Sequence, residues 1–237
     1  MSKETKINLN LHPLPKGWMW VRLGEICELV KGKKPKEIGN KNEKFKIPYI
    51  NIESFEYKRF YQFTNEGDYP TCNIDDILIV WDGARCGLVG RGVKGIIGST
   101  LAKLNCENIN KSFLFYFLQT KYEYINKHPR GVGIPHVEPN LFWNISFPLA
   151  PLPEQQKIVD EIEKHFSMID EVEKIIDISL KQAERLKQSI LKKAFEGKLV
   201  PQNPDDEPAE KLLERIIAEK EKFAKENKSN KKKVARK

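Results

Sequence analysis

The rhythm of apolar and polar positions changes at Pro148–Val159, PLAPLPEQQKIV. Upstream, apolar residues come in short runs broken by glycine and proline. Downstream they recur every three or four residues, with no proline or glycine from Glu154 to Glu196. Proline suits a stiff connector or a helix start but not a helix interior. The pattern therefore predicts a helix over Glu154–Glu196, ~65 Å long at 1.5 Å per residue. Along it, Ile158, Ile162, His165, Ile169, Val172, Ile176, Ser179, Ala183, Leu186 and Ile190 alternate in steps of four and three. That spacing is a heptad seam with a weak middle, and a seam of this kind needs a partner helix.

The part before the junction reads as α+β with many short strands. Residues 1–13 are polar and expected to be disordered. Trp18 and Trp20 bracket an extended piece, and Val21–Val30 reads equally as helix or strand. Lys31–Lys46 is expected to be an exposed loop and Ile47–Ile52 a strand. The β-branched run Asp76–Trp81 predicts a strand buried on both faces. Leu88–Leu104, with glycines at 90, 92, 95 and 98, suggests hairpins. Ser112–Asn126 reads as an aromatic helix, His128–Pro139 as a loop and Phe142–Phe147 as a last strand. After the long helix, Gly197 is placed as a stop, prolines at 201, 204 and 208 prevent continuation, and Ala209–Lys225 predicts a second helix. Asn227–Lys237 is lysine-rich and expected to fray. The domain limits that follow are 1–13, 14–153, 154–196 and 197–237.

Charge divides the chain in the same way. The formal charge of +8 splits into +6 over residues 1–153, −1 over 154–200 and +3 over 201–237. A basic globular part on a near-neutral shaft suits a nucleic-acid-binding head joined to an assembly element. The cation candidates are Lys31, Lys33, Lys34 and Lys36 in the first loop, and Arg85, Arg91 and Lys94 in WDGARCGLVGRGVKG. Arg130 and His136 flank and occupy GVGIPHV. Lysine and arginine neutralise phosphates, while arginine also reads base edges in the major groove. Arg85, between glycines that let backbone approach DNA, is the foremost candidate for a base contact. The competing reading makes Lys31–Lys36 a solvated loop and GVGIPHV a packing turn. Trp18, Trp20 and the aromatic helix at Ser112–Asn126 are expected to be core rather than base-stacking platforms.

Chemistry-bearing motifs are missing. There is no GxGxxG, no GxxxxGK[ST], no HExxH, no GxSxG and no Asn-Pro-Pro-aromatic tetrapeptide. Glu56-Tyr57-Lys58 has the acid-x-lysine spacing of some nucleases but no upstream aspartate to complete a metal site. His165 on the seam reads as a register residue. Cys27, Cys72, Cys86 and Cys106 are widely spaced, do not form a zinc pattern, and are expected to be buried thiols in a reducing compartment. No apolar run approaches 18 residues and no signal peptide is evident, so a cytoplasmic location is expected.

The opening LPKGWMWVRLGEI, the GVGIPHV loop, the FPLAPLPEQQKIV junction and the ending LKKAFEGKLVPQNPDDEPAEKLLERI together resemble a specificity subunit of a type I restriction-modification system. The resemblance runs from about Leu14 to Lys225. It implies a target-recognition domain followed by a conserved helix, binding double-stranded DNA without catalysis of its own. It also implies methyltransferase and restriction-translocase subunits as partners. S-adenosylmethionine, ATP and magnesium would belong to them, with no cofactor on this chain. Full subunits of that family have two such units in tandem, and this chain has one, ending in what reads as a natural C-terminus. Pairing through Ile158–Ile190 as a homodimer is one expectation. Pairing with a different half-subunit, and being a fragment of a longer chain, are others. A regulatory or structural coiled-coil DNA-binding protein outside any restriction system is the alternative function.

Overall fold

The computed structural model describes residues 12–65, 67–131 and 133–234. The disordered N-terminus expected at 1–13 lies almost wholly outside these residues. Between Val21 and Val30 both readings are realised. Strand β1 (Met19–Arg22) leads into a single turn, α1 (Leu23–Ile26), and then into β2 (Cys27–Lys31). Next come β3 (Ile47–Ile50), α2 (Ile52–Tyr57), β4 (Phe63–Thr64), β5 (Thr71–Cys72), β6 (Ile77–Val80), β7 (Val89–Arg91), β8 (Gly95–Ile97) and β9 (Leu101–Cys106). The remaining elements are α3 (Lys111–Gln119), α4 (Tyr122–Asn126), α5 (Pro139–Trp143), β10 (Ser146–Leu149), α6 (Leu152–Phe195) and α7 (Ala209–Val234).

Strand β6 is the centre of the core, as its β-branched run predicts. Alternate side chains of a strand point to opposite faces. Ile77 and Ile79 join the larger apolar cluster, with Phe113, Leu114, Leu118, Phe142 and Phe147. Leu78 and Val80 join a second cluster with Ile50, Phe55 and Ile97. One antiparallel sheet has the order β2-β9-β6-β7, a second has β4-β3-β8-β5 with β3 and β8 parallel, and β1 pairs with β10.

The expected succession of hairpins over Leu88–Leu104 is not what forms. β7 returns onto β6, but β8 crosses to the other sheet and β9 comes back between β2 and β6. The glycines serve these crossings. A Cβ on Gly92 would lie 2.1 Å from the Asn73 carbonyl oxygen, and one on Gly98 would lie 2.5 Å from that of Ile50. The single aromatic helix expected at Ser112–Asn126 is two, separated by a tightened turn in which Thr120 N–H donates to Phe117 O and Lys121 N–H to Leu118 O, at 3.0 Å each. Phe142 belongs to α5 rather than to the last strand, which begins at Ser146.

Helix α6 matches its sequence signals within two residues. Pro153 stands in its first turn, where no backbone donor is needed. At its end Gly197 has φ +70°, Gly197 N–H donates to Ala194 O at 3.2 Å and Lys198 N–H to Lys193 O at 2.8 Å. This is the Schellman arrangement that glycine favours. The chain divides into two compact units, Met1–Met168 and Ile169–Lys237, with the division inside α6. In the second unit, α7 runs nine residues beyond its expected end, with the Arg215 guanidinium on the Glu207 carboxylate near its start. Its Asn227–Val234 stretch, expected to fray, is helical.

The cysteines depart from expectation. Cys27 and Cys106 face each other across β2 and β9, Cα atoms 4.4 Å apart, and are joined by a disulfide. Non-hydrogen-bonded antiparallel neighbours approach this closely, which spacing along the chain does not reveal. Cys72 and Cys86 are buried thiols, and burial pushes both above the ordinary thiol value.

Candidate nucleic-acid interface

Three loops converge beyond the C-terminal end of β6, and Asp82 sits among them. Its carboxylate accepts from the Lys31 ammonium at 2.5 Å, at the end of β2, and lies 2.7 Å from Nδ1 of His136. Arg130 and His136 exchange backbone hydrogen bonds of 2.9 and 3.0 Å, closing the GVGIPHV loop on itself. Val137 N–H donates to Trp81 O at 2.9 Å and Gly83 N–H to Pro135 O at 2.7 Å, which staples that loop to the strand end. The Asn126 amide, at the end of α4, donates to the carbonyls of Ala84 and Cys86 at 3.0 Å each and shapes Asp82–Gly87. Within that loop the Arg85 guanidinium is ion-paired with Glu56. The arrangement is a half-exposed cluster of cations held in register by one carboxylate and by backbone.

The other candidates lie elsewhere. Gly32 N–H donates to Leu101 O at 2.9 Å and Lys33 N–H to Ile97 O at 3.0 Å, so the loop begins pinned to the sheet. Lys33 and Lys36 then line a cleft of about 540 Å³ together with Lys44, Asp68 and Tyr69. Lys34 and Lys94 are exposed. Arg91 is paired with Ile77, at the opposite end of β6 from Asp82. Its guanidinium donates to the Ser112 hydroxyl at 2.6 Å and stacks 4.4 Å from the Phe115 ring centroid. Arg91 is thus engaged with α3. The nine candidate residues form separate groups rather than a single patch.

Near Arg91, Asp76 anchors Lys111 at 3.1 Å and Lys103 at 3.7 Å. Burial alone would raise its carboxyl, but the Asn73 amide and the two ammonium groups outweigh that and hold it below the ordinary carboxylate value. Sequence reading missed Asp76 and Asp82 because isolated aspartates carry no spacing signal. Among the described residues no three His, Cys, Asp or Glu side chains gather as metal ligands. No described helix is long and apolar enough to cross a membrane.

The junction motif has a structural meaning. Gln155 is buried, its amide donating to Ala150 O at 2.7 Å while its carbonyl accepts from Asn110 N–H at 2.9 Å. The Asn110 side chain donates to Gln156 at 2.7 Å and accepts from the N–H groups of Ser112 and Phe113, capping α3. The Trp18 indole donates to Glu154 at 2.6 Å. Val159 is buried, and Phe166 stands edge-on to Tyr116 with centroids 5.7 Å apart. The start of the expected seam therefore partly serves its own domain. Ile158 packs on the main core cluster, and with Ile162 and His165 it lines an apolar hollow of about 940 Å³ against Trp18, Phe113 and Phe117. From Ile169 onward, Val172, Ile176, Ser179, Ala183, Leu186 and Ile190 are all exposed, and so are Ile175, Leu191 and Phe195.

The model of the type I restriction modification DNA specificity domain family matches residues 15–182. The MjaVIII specificity subunit of Methanocaldococcus jannaschii is 33% identical over 187 residues, covering 77% of this chain and 43% of that protein. The EcoDI specificity subunit of Escherichia coli is 28% identical over 230 residues, covering 90% of this chain and 51% of that one. The chain spans about half the length of the curated relatives it matches. A chain from a structure concerned with complex assembly and conformational transition of the type I R-M system superposes with TM-score 0.67 at 25% identity, over 79% of this chain and 48% of that one. The HsdS subunit from Thermoanaerobacter tengcongensis shares the fold, with TM-score 0.58 at 24% identity, over 81% and 48% of the two chains.

Proposed function

This chain belongs to the type I restriction modification DNA specificity domain family, and on that premise we propose that it is a non-catalytic DNA-recognition subunit that reads one half of a split target. The recognition domain meets double-stranded DNA through the loops around Asp82. Lys31 and Arg130 neutralise phosphates and fix register, with His136 beside them, and Arg85 reaches a base edge on release from Glu56. Methyltransferase subunits, and restriction-translocase subunits where present, assemble on it and bring S-adenosylmethionine, ATP and magnesium. The compartment is the cytoplasm, where DNA and those partners meet, and the Cys27–Cys106 bridge is an exception to the reduced thiols usual there.

The observation that carries this reading beyond the family is the exposed apolar stripe of α6. An apolar face of this length is seldom left in water and calls for a partner. Two copies pairing antiparallel would place Ile162 near the partner's Leu186 and His165 near its Ala183. Symmetry would then make the target a palindrome interrupted by a fixed spacer.

The test is a map of methylated adenines in the source genome with and without this chain. A split palindromic motif that vanishes on deletion supports both role and self-pairing. A split asymmetric motif keeps the role and replaces the homodimer with a mixed pair. Loss of no motif, in cells shown to express the methyltransferase partners, defeats the proposal in favour of a coiled-coil DNA-binding protein outside a restriction system.

A further inference from the structure

We infer that Gln155 is a spacer-positioning residue: the hydrogen-bonded latch it forms with Asn110 holds α6 on the recognition domain tightly enough to fix the spacing at which DNA half-sites are accepted. The inference rests on the proposed reading of a split target, and it assigns a role to the junction that neither helix length nor the reading loops supply.

Three observations lead to it. The latch is polar, and its central side chain, Gln155, is buried. Gln155 bridges Ala150, at the end of the domain's last strand, to Asn110, at the start of α3, while Gln156 and Glu154 tie the same helical turn to Asn110 and Trp18. A buried side-chain amide satisfied at both ends specifies one geometry, because any tilt leaves a polar group unpaired. Apolar packing by Ile158 beside an open hollow does not impose that by itself.

The second observation is the lever. Asn110 adjoins Lys111, which pairs with Asp76 before β6, whereas the reading loops gather at Asp82 after it. The six steps from Asp76 to Asp82 span at most ~20 Å at 3.3 Å per residue. A base-pair step is ~3.4 Å along the duplex. A tilt of about 10° at the latch, acting over that distance, would therefore carry the loops one base pair along the DNA.

Third, the side chains of the latch face protein rather than nucleic-acid candidates, so its loss leaves the base-reading loops unchanged. Loosening should relax the spacer while the half-site sequences stay the same. A merely destabilised domain would lose methylation at all sites together.

The experiment compares adenine-methylation maps from cells carrying the wild-type chain, Gln155→Ala or Asn110→Ala, each with its own partner subunits. The expected result is unchanged half-sites with a new class of sites one base pair shorter or longer, methylated to at least a tenth of the parental level. A single unchanged spacer in both variants overturns the inference. Absence of any split motif with the wild-type chain is a failure of the underlying reading instead. The latch is then judged in the purified full chain, from the distance distribution between spin labels at Lys127→Cys and Ser167→Cys. Gln155→Ala should broaden that distribution, and an equal width refutes the latch whatever the maps show, including when a variant methylates nothing.

Discussion

The Lys31 ammonium and the Asp82 carboxylate meet at 2.5 Å, although one ends β2 and the other follows β6. The pair, with His136 on the second carboxylate oxygen, means that an acid lies in the midst of the cations proposed to meet DNA. Its effect on binding can have either sign. If Asp82 only repels phosphate, Asp82→Asn tightens binding. If it holds Lys31 and His136 in place, removing it weakens binding. The geometry favours the second. We expect Asp82→Asn to lower affinity for the mapped target about tenfold, the worth of one charge-assisted hydrogen bond. The slope of log K against log salt should shrink by ~0.9 per lost phosphate contact. Gel-shift titrations across a salt series, using the chain with its methyltransferase partners, decide it.

Gly32 places Lys31 and Lys33. A Cβ there would fall 2.1 Å from the Gly98 carbonyl oxygen and 2.6 Å from that of Ile97, backbone atoms just after β8 and at its end. Gly32→Ala should cost about 2 kcal/mol or more in urea unfolding and weaken DNA binding. Gly133→Ala, where a Cβ meets nothing within 4 Å, is the matched control and should change stability little.

Asp76 gives a pH signature. Its folded-state pKa lies below the ordinary value of 3.8, because the Asn73 amide and the Lys111 and Lys103 ammonium groups outweigh burial. A carboxylate of this kind stabilises the fold above its unfolded pKa, and that contribution fades as pH falls toward the folded value. The difference in melting temperature between wild type and Asp76→Asn should be largest at neutral pH and narrow below about pH 4. A gap that widens on acidification would contradict the assignment.

Ile176 tests self-pairing. It is exposed in the single chain and lies near the middle of the stripe. Placing two glutamates in an antiparallel seam should cost ~3 kcal/mol or more, weakening dimerisation about 100-fold. Sedimentation equilibrium should show Ile176→Glu as a monomer at concentrations where the wild type pairs. Both chains sedimenting alike would remove the homodimer.

The cross-link between Cys27 and Cys106 is checked by thiol titration of the denatured protein. Two reactive thiols, Cys72 and Cys86, are expected without reductant and four after reduction. Because the bridge spans 79 residues, Cys27→Ser should lower stability by ~4 kcal/mol under non-reducing conditions on the chain-entropy account.

Helix α6, its proline start, its Gly197 stop and the buried strand Ile77–Val80 were legible from residue order alone. Each is set by local chemistry: hydrogen bonds to neighbours four residues away, the missing donor of proline, the left-handed freedom of glycine, and a run of β-branched side chains. The likeness to a specificity subunit was legible for the same reason, since its distinctive stretches are continuous in sequence. What surrounds β6 was not. Which strand pairs with which depends on contacts between distant segments, so glycines that read as hairpin turns proved to be crossing points between two sheets. The candidate cations could be named, but not sorted. Only the fold brings Lys31, Arg130 and His136 around Asp82 and sends Arg91 to α3. The seam shows the same limit: its heptads are visible as spacing, yet only packing reveals that Ile158 and Val159 serve their own domain while Ile169 to Ile190 remain uncovered.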